Sequence, residues 1–120
     1  MSVSPTPEPE APIRTIDGID SEEDHALAHA LVAMFERELP RRLSDLNRAV
    51  ASGDLDSAAR IADRARGSAA VLGAVRLAAT FLAVARAARE ARLDRLAVNL
   101  EVLAEEYPST VLALRRFYQL

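Results

Sequence analysis

Ala62-Asp63-Arg64-Ala65-Arg66-Gly67-Ser68-Ala69-Ala70-Val71-Leu72-Gly73-Ala74 is the stretch from which the rest of the chain is read. With the residues just before it, its apolar positions are Ala58, Ile61, Ala62, Ala65, Ala69 and Leu72. They recur at three and four residues, so the stretch predicts a helix over 55–72 with one buried face. Arg60, Asp63, Arg64 and Gly67 fall on the opposite, solvent side. Gly67 costs this helix about 1 kcal/mol against alanine. It has no turn to make there, but it bares a patch of backbone one turn beyond the Asp63 carboxylate. Such a patch lets another surface come close. Gly73 then ends the helix, as glycine does just past a last turn.

Working outward, the last helix carries Leu96, Leu100, Leu103, Tyr107, Val111, Leu114 and Phe117. Those spacings run through Pro108 without losing phase, which predicts one helix over about 95–119, kinked where proline lacks its N–H. Between it and Gly73, a helix buries Leu77, Phe81, Val84 and Ala88 and turns Arg76, Arg86 and Arg89 outward. Its end is weakly marked: Ala91-Arg92-Leu93 holds no glycine or proline, and only Asp94 offers a cap. On the N-terminal side, Ser21 caps a first helix whose first turn holds Glu22, Glu23 and Asp24. Its expected apolar stripe is Leu27, Leu31, Met34 and Phe35, and Pro40 is expected to end it near Leu39. Pro40 then starts a second helix that buries Leu43, Leu46 and Val50 and stops at Gly53. Asp54 caps the helix at 55–72. No stretch alternates with period two, so no sheet is expected. The fold class is all-α: an up-and-down antiparallel four-helix bundle with an additional N-terminal helix.

Arg66, Gly67, Ser68, Ala69, Gly73 and Ala74 carry a resemblance to the active helix of histidine phosphotransfer (HPt) domains. That family shows His-x-x-(Lys/Arg)-Gly-Ser-Ala, with a second glycine six residues after the first. The run from Phe35 to Leu43 also looks like the helix-proline-helix junction of HPt domains, and the resemblance covers roughly residues 27–105. At the position of the family's phosphorylated histidine this chain has Asp63, and the usual leucine two residues on is Ala65. The resemblance implies a two-component phosphorelay protein whose docking scaffold is kept and whose phosphoacceptor is not. The implied partners are a response-regulator receiver domain or a histidine kinase. The implied partner-binding residues are Arg60, Asp63, Arg64, Arg66, Gly67 and Val71, with Asp63 a degenerate phosphoacceptor position and no catalytic residue.

The chemistry agrees with that implication. Phosphoryl transfer of this kind needs an exposed imidazole nitrogen and a cation for the phosphoryl oxygens. Arg66 supplies the cation, while Asp63 has no such nitrogen. A carboxylate accepts phosphate where further acids hold a divalent ion to offset the charge. The neighbours one turn from Asp63 are Arg60, Arg66 and Gly67. At its simplest, Asp63 is a solvated acid paired with Arg60 and Arg66, at about 0.3 kcal/mol per pair. Two other functions stay open: a structural or dimerising helical adaptor unrelated to phosphorelay, and active phosphotransfer through another residue.

Composition bounds the rest. The 120 residues make one domain, half of them apolar, and without Cys there is no disulfide or thiolate chemistry. No apolar run is long enough to span a bilayer and the start is unlike a secretory signal, so a cytoplasmic protein is expected, without cofactor or metal. Residues 1–20 hold four of the six prolines and few core formers, and are expected to be a disordered Pro/acid-rich tail before the bundle of 21–120. Within this tail, Ile13, Ile16 and Ile19 are apolar enough to clamp onto the bundle. All fifteen basic residues are Arg. Residues 1–24 carry a net −6, and residues 57–92 a net +5. A basic face of that kind favours an acidic partner, and the acidic tail is expected to compete for it. Nucleic acid is not expected, because the net charge is −3, stacking aromatics are few and no binding motif is present. A monomer is favoured over a homodimer. His25 and His29 stand at i, i+4, a spacing that can bind a metal. Ala26-Leu27-Ala28 between them lacks the glutamate of the zinc-protease motif and they lie off the Leu27/Leu31 stripe, so they read as exposed, unliganded histidines.

Overall fold

The computed structural model describes residues 22–118, with side chains from residue 26 onward. Residues 1–20 and the Ser21 cap lie outside the described residues, as does the His25 side chain. Four helices follow one another: α1 (Glu22–Ala51), α2 (Leu55–Val71), α3 (Val75–Arg89) and α4 (Leu93–Phe117). There is no strand among the described residues.

The connections explain the order. At each of the three, one residue adopts a left-handed conformation: Gly53 (φ 78°), Gly73 (φ 80°) and Ala91 (φ 55°). In each, the next amide reaches back five residues. Asp54 donates to the Ala49 carbonyl at 2.8 Å, Ala74 to that of Ala69 at 2.9 Å, and Arg92 to that of Ala87 at 2.9 Å. This backbone closure satisfies the last carbonyls of each helix and reverses the chain within a few residues. The third connection uses the same device with alanine in the glycine place, which is why neither glycine nor proline marks it. Arg92, rather than Asp94, is the residue at the N-terminal cap of α4. Asp54 does cap α2, accepting from the Ser57 amide at 3.2 Å. The hydrogen bonds to Ser57, with Arg60 nearby, hold its carboxyl below the usual carboxylate range.

The break expected at Pro40 is absent. α1 continues through it, so the additional N-terminal helix is the first half of α1, and the described residues hold four helices. The buried face of α1 is Ala28, Val32, Phe35, Leu39, Leu46 and Ala49. Its spacing keeps phase across Pro40, as that of α4 does across Pro108. An interior proline costs about 3 kcal/mol. Burying Val32, Phe35, Leu39 and Leu46 gains about 2 kcal/mol each, so continuity wins. Pro40 itself is exposed, on a side where water can reach backbone carbonyls. The expected stripe also shifts by one residue. Leu27 and Met34 are exposed, Leu31 is half-buried, and only Phe35 is shared with the observed face.

α2 buries five alanines, Ala58, Ala59, Ala62, Ala65 and Ala69, and packs most extensively on α3, whose buried residues include Ala85, Ala87 and Ala88. Small side chains let these two helices pack closely at the centre of the molecule. Phe81, Leu77, Leu96, Leu103 and Leu114 fill the remaining core. Between α3 and α4, buried Thr80 donates to Glu106 at 2.6 Å. α1 and α4 meet sparingly. Arg115 donates two hydrogen bonds to Glu36, at 2.7 and 3.1 Å. His29, exposed at its edge, donates through Nε2 to the Tyr118 carbonyl at 2.9 Å. α1 therefore rests mainly on α2 rather than on α4.

Candidate functional site

The outer face of α2 divides into two flanks. Asp63, Arg66 and Gly67 lie at i, i+3 and i+4, on the flank toward α3. Arg64, Ser68 and Val71 lie at i, i+4 and i+7, toward α1.

On the α3 flank, the Asp63 carboxylate is two-thirds covered. Arg89 of α3 donates to its Oδ2. The Arg66 Nε stands 4.0 Å from its Oδ1. That Nε is buried and makes no hydrogen bond. Arg60 does not reach Asp63. Instead it donates to the Ser57 hydroxyl at 3.1 Å, so the expected i−3 pair does not form. Arg89 comes from 26 residues away in sequence, and no spacing rule could have shown it. Gly67 is half-buried, and a Cβ placed on it would meet no atom within 4 Å. Nothing in the protein's own core needs a glycine there. The bare backbone faces open space.

On the α1 flank, a groove of about 180 Å³ runs between α1 and α2. Leu31, Met34, Phe35, Leu39, Val71 and Leu72 make its apolar walls. Met34 is 44% exposed and Val71 60%, a large share for residues of this kind. At one end the groove becomes polar. Arg42 spans it, donating to Glu38 and to the Ser68 hydroxyl, each at 3.1 Å. A second hollow of about 240 Å³ continues from there, lined by Glu38, Arg41, Arg42, Asp45, Ile61 and Arg64.

Of the six residues expected at the site, all lie on α2's outer side. Asp63 and Arg66 are joined by Arg89, Arg64 and Val71 by α1, Gly67 is open beside Asp63, and Arg60 stands apart. The α1 residues Met34, Glu38 and Arg42 were not among the expected site residues. Their signal was present in the phase of α1: carried one turn further, the Leu27 stripe meets Glu38 and the Ala28 stripe meets Leu39. The second is therefore the buried one and the first the wall of a groove.

A family model described as Hpt domain matches residues 30–115. The chain belongs to the Hpt domain family. The match includes most of α1, all of α2 and α3, and α4 nearly to its end. No curated protein and no solved structure matches the chain. Membership places it in phosphotransfer signalling, among domains that carry phosphoryl groups and meet receiver domains and histidine kinases. No described helix is long and apolar enough to cross a membrane.

Proposed function

We propose that this Hpt domain is a pseudo-phosphotransfer protein, which binds a receiver domain or a histidine kinase without itself carrying phosphate and is not an enzyme. The observation that carries this reading is Asp63, the residue at the phosphoacceptor place of the family motif, held against Arg89 and Arg66 beside an open Gly67. A carboxylate that accepts a hydrogen bond from a guanidinium, as Asp63 does from Arg89, is a weaker nucleophile toward phosphorus. Accepting a phosphoryl group would give an acyl phosphate among charges that only a divalent ion offsets well. Among the described residues, no three acids or histidines gather to hold such an ion. The docking requirements are met differently. Gly67 admits a close approach, Val71 offers apolar contact, and Arg60, Arg64 and Arg66 supply positive charge for an acidic partner.

The test is a titration against purified receiver domains, followed by incubation with the same receivers carrying labelled phosphate. Binding without label transfer is expected. Gly67→Trp should weaken binding at least tenfold while the bundle stays folded. Asp63→His should begin to take up label. Label on the native chain, or no binding to any receiver or kinase of the same cell, would sink the reading. Sedimentation on the same samples separates docking from self-association, since a tight homodimer that covers Gly67 belongs to the adaptor alternative.

A further inference from the structure

The groove and the hollow between α1 and α2 share Glu38 and Arg42, so they form one channel with an ordered chemistry. Along α1 from its N-terminus come Leu31, Met34 and Phe35, then Glu38, Arg41, Arg42 and Asp45. On the opposite wall α2 runs the other way, Leu72 and Val71 first, then Ser68, Arg64 and Ile61. The channel is thus apolar where α1 begins and basic further along. Its acids are already engaged: Glu38 accepts from Arg42, and Asp45 pairs with Arg48. Arg41 and Arg64 have no ion-pair partner among the described residues, which leaves that end positive.

We propose that residues 8–16 of this chain occupy the channel, lying antiparallel to α1. Twenty-one residues precede Glu22. Read backward from α1, they give Gly18, then Ile16, Ile13, Glu10 and Glu8. A chain reversal at Asp17-Gly18 needs only the freedom glycine has. From there Pro12, Pro9 and Pro7 favour an extended strand of about 3.1 Å per residue. Measured from the start of α1, Ile16 then falls at about 6 Å and Ile13 at about 16 Å, with Glu10 and Glu8 at about 25 and 31 Å. On the helix, at 1.5 Å per residue, Leu27 stands at about 8 Å, Leu31 at about 14 Å and Met34 at about 18 Å. Arg41 and Arg42 stand at about 29 and 30 Å. Ile13 thus reaches the apolar wall at Leu31 and Met34, Ile16 reaches exposed Leu27 just before the channel, Glu8 comes level with Arg41 and Arg42, and Glu10 stands about 4 to 5 Å short of them, beside Glu38. Residues 1–16 carry Glu8, Glu10 and Arg14, a net −1, and both acids fall toward the basic end. The channel and the segment show the same order of chemistry, apolar first and charged beyond. The segment shares Arg64 and Val71 with the proposed docking face, so a partner and the segment exclude each other there. The occupancy itself concerns the chain alone and stands or falls without any partner.

The native chain has no cysteine, so a spin label can be placed at one chosen site. Thr15→Cys and Thr6→Cys, each labelled in the ¹⁵N-enriched full-length protein, report on the two ends. The label at 15 should broaden the amides around Leu31, and the label at 6 those around Asp45 and Ile61. Amides of Val98 on α4 should keep their intensity with either label. Ile13→Ser/Ile16→Ser, or Glu8→Arg/Glu10→Arg, should remove both patterns while the bundle spectrum persists. Reversed order, uniform weak broadening, or patterns that survive both double variants would overturn the proposal. So would broadening that passes from labelled ¹⁴N chains to unlabelled ¹⁵N chains in a mixture, since the occupant would then be a second copy.

Discussion

At the scale of single residues, Gly67 and Ala91 are opposite cases. Gly67 sits inside a helix, with helical backbone and empty space where a side chain would go. Gly67→Ala should therefore stabilise the bundle by up to about 1 kcal/mol, read from urea denaturation. A glycine that costs stability and serves no packing need supports the proposed docking face. Ala91 has a side chain where the backbone is left-handed, φ 55°. That conformation costs an L-residue about 1 kcal/mol. Ala91→Gly relieves it, and its urea midpoint should rise with an unchanged slope. The motif made Gly67 and Asp63 legible in the sequence. Arg89, which holds Asp63, was not, because nothing local links positions 63 and 89.

At the scale of elements, the two internal prolines show how far local rules reach. Pro108 and Pro40 both interrupt the hydrogen-bond ladder, and both helices pass through because their apolar phase continues. Local geometry at Leu39 argues for a stop, but burial of Leu39 and Leu46 on one face argues more strongly for continuity. Pro40→Ala should then raise stability by about 1 to 3 kcal/mol without changing helical content, as measured by circular dichroism and urea titration. A large gain in helicity would mean that α1 is broken in solution. The one-residue shift of the α1 stripe belongs to this scale too. Over four turns the two phases look alike, and only the pairing of Glu38 against Leu39 separates them.

For the whole molecule, the end of α4 is the clasp. The Tyr118 hydroxyl donates to the Leu72 carbonyl at 3.3 Å, its ring meets Phe117 edge-on, and its own carbonyl accepts from His29. One residue thus ties α4 to the ends of both α1 and α2. Tyr118→Phe should cost about 1 kcal/mol, since the Leu72 carbonyl loses its donor. Burial pushes the Tyr118 hydroxyl above its ordinary value near 10. The folded state thus prefers the neutral phenol more than the unfolded chain does. That stabilisation is complete below the unfolded value and is lost as pH rises through the folded one. Stability measured from pH 8 to 11 should fall more steeply in the native protein than in Tyr118→Phe. Equal slopes would mean the hydroxyl is not buried in solution.

The sequence by itself determined the helical class, the bounds of α2 and α4 to within two residues, four of the five buried alanines of α2, and the motif of the Hpt family. These are properties of short windows, where periods of three and four, a glycine and a cap act within a turn or two. Tertiary structure alone decided that α1 runs unbroken, that Arg89 rather than Arg60 meets Asp63, and that α1 and α2 leave an apolar channel turning basic along its length. Each of these depends on which face of one helix meets which face of another. That is a balance of burial against local backbone cost, and no short window contains both sides of it.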